Sequence, residues 1–488
     1  MESGVDAHEA TVNAVNGMTD RLKNTAGAIT LSKFGDVGIH FSSKRMSWAY
    51  IKDGQIHSST VTIISDPKKF YDTLCDRFRN ANRRISVASL YLGTGSMEKT
   101  LVDITSKNLE KHKDITFKIL LDYQRGTRGE KNSVTMLQEI INDYYTTKCS
   151  VNLYQTPRLH GTWSKALPAR YNELIGLQHM KIYIADDSVL LSGANCSNDY
   201  FQQRQDRYVE ILDADLANFY SEIIDEVSRY SKHCVPTGIQ DRKKYVSKEF
   251  LLHEMRYRIN GVISRWKEQQ LAKLASLQDS NDTWIFPLIQ MGEFGITQDE
   301  EVTSRFLQSV PPGSFIQLAT GYFNLTDHYA KTLLKECKAH ISLLMAHPNA
   351  NGFLGASGPA GGIPHAYSLI ARKFWQRVQD TKQTKRVEML EYERPGWTFH
   401  AKGLWYYPPG SALPWATIVG SANMGERSVK RDLEAQAAIF TVSPDLQSKL
   451  RKESQQLHHY ATECSNELQK RDTPLWVRAT VGLFRTYF

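Results

Sequence analysis

Two segments of this 488-residue chain carry the same reactive side chains, LQHMKIYIADDSVLLSGANCSNDYFQQRQDRYVE (177–210) and TFHAKGLWYYPPGSALPWATIVGSANMGERSVKRDLEAQ (398–436). Each has His-x-Lys, then a small-residue turn ending in Asn, then a carboxylate. The pairs are His179/His400, Lys181/Lys402, Gly193/Gly420, Asn195/Asn423 and Asp206/Glu434, with eleven residues from Asn to carboxylate in both. This set suits phosphoryl chemistry. A nucleophile must approach a phosphodiester against negative charge. Lys181 and Lys402 would supply fixed positive charge where the transferring oxygens gain theirs. Asn195 and Asn423 would add neutral donors. Imidazole serves as nucleophile or as acid and base near neutral pH. A carboxylate on the far ring nitrogen, with Asp206 and Glu434 as candidates, would fix the tautomer and stabilise imidazolium. Two histidines on opposite sides of one phosphorus permit in-line attack with no metal and no cofactor.

The elements that position them follow from pattern. On a strand, residues i and i+2 face the same way, so His179 and Lys181 aim into one place. IYIADDSVLLSG (182–193) reads as two short strands around an Asp-Asp turn. RISVASLY (84–91) and ITFKILL (115–121) are apolar β-branched runs, and helical patterns fill 67–82 and 133–147. Strand–helix alternation argues for an α/β sandwich. In the second half IQLATGYFNLT (316–326) answers VASLYLGTG (87–95), and ISLLMA (341–346) answers FKILLD (117–122). The 221-residue spacing of the histidines exceeds any solenoid period. The expectation is an N-terminal extension (1–33), a first domain (34–235), a linker with a connecting helix (236–283) and a homologous second domain (284–488), sharing one site.

Composition agrees with two globular domains: 41% hydrophobic, 23% charged, a formal charge of +8. The mild basic excess suits anionic substrates or an anionic membrane surface. It is too diffuse for a nucleic-acid face. Six scattered cysteines without C-x-x-C spacing read as reduced thiols. No apolar run reaches the ~18–20 residues that span a bilayer. Glu2, Asp6 and Glu9 precede any Arg, a poor match to an organellar presequence, so a targeting address would lie elsewhere or have been removed. GTGSMEKT (93–100) imitates a P-loop, but Glu98 stands where the second Gly belongs and would repel phosphate.

The two motifs resemble the HKD motifs of the phospholipase D superfamily, from about residue 34 to 488. Within it the chain is similar to the eukaryotic phosphatidylglycerophosphate synthases. The matching strings are SLYLGTG (89–95), RGTRGEKNS (125–133), GLQHMKIYIADDSVLLSGANCS (176–197), RQDRY (204–208), TGYFNLT (320–326), NGFLGASGPAGGIP (351–364) and GWTFHAKGLW (396–405). The resemblance implies two α/β/α sandwich domains with pseudo-twofold symmetry. It implies the substrates CDP-diacylglycerol and glycerol 3-phosphate, a phosphatidyl-histidine on His179 with His400 as base, and a peripheral place on the matrix side of the mitochondrial inner membrane. Asp186 completes H-x-K-x4-D in the first motif; Tyr407 holds that position in the second. Ser192 and Ser421 in the turns are expected to contact substrate. Arg125, Arg128 and Lys131 lie in a Gly-containing loop whose guanidinium forks suit a diphosphate. The Gly-rich 351–364 segment reads as a flexible loop or as an active-site or lipid-contacting one. The C-terminal TPLWVRATVGLFRTYF, with Trp476, Leu483, Phe484, Tyr487 and Phe488 beside Arg478 and Arg485, reads as an interfacial helix or a docked one. The rival readings are a hydrolase using water as acceptor and an inactive membrane scaffold.

Overall fold

The computed structural model describes residues 7–22, 27–31, 37–41, 55–159, 175–241, 246–273, 282–356 and 358–487. Its contacts divide the chain into two units, Met1–Lys52 and Asp53–Phe488. The first unit therefore runs past residue 33. It holds a helix, Ala7–Leu22, and an antiparallel pair, Gly27–Leu31 with Val37–Phe41, in which Ile29 faces Ile39.

The second unit contains two nine-stranded sheets built to one plan. In the first, three parallel strands (Arg84–Ala88, Thr116–Asp122, Cys149–Tyr154) are continued by the antiparallel series Ile182–Ala185, Ser188–Ser192, Tyr208–Leu212 and Val61–Ile64. The second repeats this with Phe315–Thr320, His340–Ala346 and Val387–Tyr392, then Gly403–Tyr407, Ala416–Gly420, Leu433–Thr441 and Thr283–Met291. Parallel strands need buried faces, and the near-continuous apolar runs of these segments supply them. The chain also crosses over early. Gln55–Ile56 pairs with Thr283–Trp284 in the second sheet, before Val61–Ile64 joins the first.

Local sequence explains the helices that brace the sheets. Pro67–Asn80 begins with Pro at its first position, after Asp66, whose side chain accepts from the Lys69 amide. Phe70, Leu74, Cys75 and Phe78 are its buried stripe. The predicted connecting helix is Lys248–Lys273. Leu251, Met255, Ile259, Val262, Ile263, Trp266 and Gln270 form its buried face, with Trp266 against Phe219 of the helix Ala214–Arg229.

One core cluster draws on both sheets, including Met180, Ile182, Leu191 and Val209 from the first half and Phe399, Trp405, Val419 and Leu433 from the second. Outer clusters flank it on either side. A buried ion pair joins the halves. Arg207 donates to both oxygens of Glu453 at 2.9 Å, stacks 3.9 Å over Trp405, and donates to the Ile418 carbonyl at 2.8 Å. All six cysteines are buried and outside disulfides. No helix among the described residues is long and apolar enough to cross a membrane.

Candidate active site

The loops that leave the C-terminal ends of the parallel strands converge where the two halves meet, the usual place for a ligand in such sheets. Each His-x-Lys segment lies in the extended chain just before its strand and is stitched to the opposite half. The His179 amide donates to Leu433 O at 3.0 Å, and the His400 amide donates to Gln205 O at 2.8 Å. Arg204–Gln205 pairs in parallel with Thr398–Phe399, and Gln178 bridges to Leu433.

This stitching exchanges the carboxylates. His179 Nδ1 lies 3.0 Å from both oxygens of Glu434, and His400 Nδ1 lies 2.7 Å from Asp206 Oδ2. Each imidazole is held by the acid of the other half at Nδ1, while His400 Nε2 lies 3.4 Å from the Tyr200 hydroxyl. Between the imidazoles lie Lys181 and Lys402, whose side chains are fully buried. Their ammonium groups donate to the carbonyls of His179 (2.6 Å) and His400 (2.7 Å). Lys402 Nζ also lies 2.8 Å from His400 Nδ1 and 3.2 Å from its Nε2.

Electrostatics separate the two imidazoles. Burial lowers the His179 pKa, and Glu434 partly restores it. Burial, Lys402 and Arg204 push His400 well below 6.5, so it rests neutral. Burial alone would raise Glu434, but His179, Lys181 and a Ser421 hydrogen bond outweigh it and hold the acid at about 2. Asp206 rises to about 6 through burial, against the pull of Lys402. Burial brings Lys402 down to about 8 and Lys181 well below its ordinary value.

Asn195 is buried, and its Oδ1 has no hydrogen-bond partner among the described residues. Asn423 Oδ1 accepts from Thr320 Oγ1 at 3.2 Å. Arg125 reaches the site, stacked 4.6 Å over Tyr91. Arg128 and Lys131 are exposed further along that loop.

Three expectations change. Asp186 is not with the imidazoles. It sits at the far end of the strand Ile182–Ala185, in the hairpin turn with φ 51°, and accepts from the amides of Asn82 (2.9 Å), Arg83 (2.7 Å) and Arg84 (3.1 Å). It locks a turn, so Tyr407 at the matching position removes nothing from the site; its hydroxyl donates to Gln317 Oε1 at 2.8 Å. The serines also hold structure in place of substrate. Ser192 donates to Arg207 O at 2.6 Å and accepts from Ala194 N at 2.9 Å. Ser421 donates to Glu434 Oε2 and accepts from Ala435 N at 3.1 Å.

Several supporting residues escaped the sequence reading. Ser428 donates to Glu434 Oε1 at 2.7 Å. Asp122 accepts from the Arg125 amide (3.0 Å) and the Gln178 amide (3.2 Å), tying the arginine loop to the His179 segment. Tyr200 and Tyr322 stand edge-on to His400 at 5.1 and 5.4 Å. Only the pairing of TGY (320–322) with SLY (89–91) signalled Tyr322 in advance. Gly193 has no room for a side chain, since a Cβ there would lie 2.7 Å from Asp206 Oδ1. Glu98 is buried and accepts from the Asn198 amide at 2.6 Å, filling the space a P-loop keeps for phosphate. His179, Asp432 and Glu434 cluster closely enough for a cation. Their carboxylate oxygens, however, are taken by His179, Ser421, Ser428, Arg427 and the Leu177 amide.

Fold and site together define a duplicated α/β sandwich with paired His-Lys segments where its halves meet. A solved phosphatidylserine synthase from Haemophilus influenzae has the same fold, at TM-score 0.65 and 18% identity over 89% of this chain and 95% of that one. The Homo sapiens protein named CDP-diacylglycerol–glycerol-3-phosphate 3-phosphatidyltransferase, mitochondrial, is 40% identical over 92% of this chain and 86% of its own length. The Saccharomyces cerevisiae CDP-diacylglycerol–glycerol-3-phosphate 3-phosphatidyltransferase is 33% identical, covering 82% of each. The chain belongs to this phosphatidyltransferase family. Residues 1–61 separately match a family described as Asparaginase. That stretch contains none of the paired motif residues and is too small a part of the chain to define it.

The placement of Asp186 yields a test. Asp186→Asn is expected to lower stability by about 1.5–3 kcal/mol, the range for hydrogen bonds to a charged group. The turnover of the folded fraction should stay within about threefold, because no contact with the imidazoles is lost. Thermal melts beside rates per folded enzyme check this; a collapse of turnover at unchanged stability would return Asp186 to the catalytic group.

Proposed function

We propose that this chain transfers the phosphatidyl group of CDP-diacylglycerol to glycerol 3-phosphate, giving phosphatidylglycerophosphate and CMP, the first step toward phosphatidylglycerol and cardiolipin. The observation that carries the reading is the crossed pair of imidazoles, each oriented by the other half's carboxylate, around two buried ammonium groups.

In the first step His179 Nε2 attacks the lipid-side phosphorus. The N–P bond forms as the P–O bond to CMP breaks, and CMP leaves with the electron pair. Its phosphate is acidic enough to need little protonation. Glu434, ionised at any physiological pH, stabilises the cationic phosphatidyl-imidazole through Nδ1–H. Lys181, Lys402 and the Asn195 amide face the negative charge that builds on the phosphoryl oxygens. In the second step His400, neutral at rest, takes the proton of the glycerol 3-phosphate hydroxyl as that oxygen attacks phosphorus and the N–P bond breaks. His179 is regenerated, and His400 releases its proton to solvent. Arg125, Arg128 and Lys131 are assigned to the diphosphate of the nucleotide.

The lipid must come from a bilayer, and the C-terminal helix Leu475–Phe484 fits an anionic membrane surface. Val477 and Val481 bury one face of it in the second-half core. Leu475 (79% exposed), Trp476 (51%) and Leu483 (78%) lie outside, with Arg478 beside them. The side chains of Phe484 and Tyr487, and residue 488, lie outside the described residues. Trp476 covers Gly362 at the end of the glycine-rich loop, and Phe353 of that loop lies 5.7 Å from Tyr322, itself beside His400. These contacts support a route from that surface to the site. The designation mitochondrial carried by the human relative supports a mitochondrial location. The matrix face of the inner membrane is the setting we assign within it.

Incubation with CDP-diacylglycerol, with and without glycerol 3-phosphate, tests the reaction. CMP release should depend on the acceptor and fall by at least ~10³-fold in His179→Ala, and a substrate chiral at phosphorus should react with retention. Inversion, or turnover surviving His179→Ala, would refute the two-step route. Acceptor-independent CMP would make the enzyme a hydrolase.

Activity should vary with pH as the charges require. His179 must be neutral to attack, and its pKa is lowered, so the acid limb should lie below pH 6.5. Lys402 must be charged, so the alkaline limb should appear as pH rises through about 8. Lys402→Arg should move that limb upward in a pH–rate profile; an unmoved limb would remove Lys402 from the assignment.

Leu475→Asp with Leu483→Asp should weaken co-sedimentation with anionic vesicles at least tenfold. Equal sedimentation would exclude this helix as the membrane contact.

A further inference from the structure

The mechanism leaves one buried cation unused. The Arg204 side chain is only 15% exposed. Its Nε donates to Thr398 Oγ1 at 3.0 Å, and its guanidinium lies 4.5 Å over the Tyr200 ring, which stands edge-on to His400. Among the described residues the nearest carboxylate is Asp199, 3.9 Å away and 73% exposed, too distant and too solvated to neutralise it. A buried charge without a close counter-ion is costly, and among the described residues Arg204 has none, a single ring's width from the imidazole assigned as base.

A second donor stands beside it, and both close on one glycine. A Cβ on Gly352 would approach Arg204 Nη2 to 3.3 Å and the Tyr322 hydroxyl to 3.4 Å. A guanidinium edge and a phenol O–H therefore border the volume that the missing side chain leaves. Burial raises the Tyr322 pKa, so its hydroxyl stays protonated and can donate.

We propose that Arg204 and the Tyr322 hydroxyl, brought together against Gly352, form the subsite for the phosphomonoester of the acceptor, selecting glycerol 3-phosphate over unphosphorylated polyols. This rests on the reading of His400 as the acceptor's base. Glycerol 3-phosphate carries its anion at the opposite end from the attacking hydroxyl. Its phosphate must therefore be held apart from Lys181 and Lys402 but on the His400 side. Arg204 stands there, whereas Arg125 stacks on Tyr91, the first-half counterpart of Tyr322. A planar fork suits a phosphate dianion in a way an ammonium cannot reproduce.

The test is substrate kinetics on Arg204→Gln, Arg204→Lys and Gly352→Ala, with glycerol 3-phosphate binding measured separately by calorimetry. In Arg204→Gln the KM for glycerol 3-phosphate should rise about 10–100-fold, the loss expected for charge-assisted hydrogen bonds. The preference for glycerol 3-phosphate over glycerol should fall equally, while the KM for CDP-diacylglycerol changes less than about threefold. Arg204→Lys and Gly352→Ala should fall between, with melting curves confirming the fold. An unchanged acceptor KM, or a parallel rise in both KM values, would overturn the proposal. If the wild type made no phosphatidylglycerophosphate, the function would fail. Calorimetry would still decide the subsite, since equal glycerol 3-phosphate affinity in wild type and Arg204→Gln refutes it.

Discussion

The exchange of carboxylates between the two halves is the constraint from which the site follows. His179 has its tautomer fixed by Glu434, and His400 by Asp206. Neither half can orient its own imidazole, so the centre exists only when the halves are docked. The backbone enforces the same exchange, because the His179 and His400 amides are bound to Leu433 and Gln205, the residues just before the partner acids. A shared apolar core and the buried Arg207–Glu453 pair hold that docking rigid. Such a pair contributes more to fixing one arrangement than to net stability, because its desolvation offsets much of its attraction.

The second consequence is electrostatic. Two ammonium groups and two carboxylates are buried in one place. They tolerate burial by facing each other, yet the balance is uneven. Glu434 is strongly ionised and serves His179, while Asp206 sits near 6 beside a neutral His400. A twofold-related kit thus gives two different imidazoles, one facing a firm anion and one kept neutral by burial and nearby cations. Division of labour in a symmetric site needs no difference in motif, only in the charges around it. Arg204, near His400, is one such difference.

Much of this was legible in the chain. The β-branched apolar runs read at 84–91 and 115–121 contain the parallel strands Arg84–Ala88 and most of Thr116–Asp122. The repeated His-x-Lys and the eleven-residue spacing picked out both imidazoles, both ammonium groups and both acids. Motif adjacency misled at Asp186. Seven residues along an extended chain carry a side chain out of reach of His179, and a strand intervenes. Ser192 and Ser421 misled because a hydroxyl in a tight turn is as valuable to the backbone as to a ligand. Asp122, Tyr200 and Tyr322 were invisible or nearly so, since each meets the site through a neighbour distant in sequence.

The sequence by itself determined the reactive set and its duplication, because residue type and local spacing are fixed by the chain. It also fixed the common facing of each histidine and lysine, since side-chain alternation is a local property of extended backbone. Only the tertiary structure decided which acid serves which histidine, that Asp186 belongs to a turn, and that Arg204 lies beside His400. Those are relations between segments hundreds of residues apart. They are set by how two sheets pack and where buried charges find partners, and no local pattern encodes that.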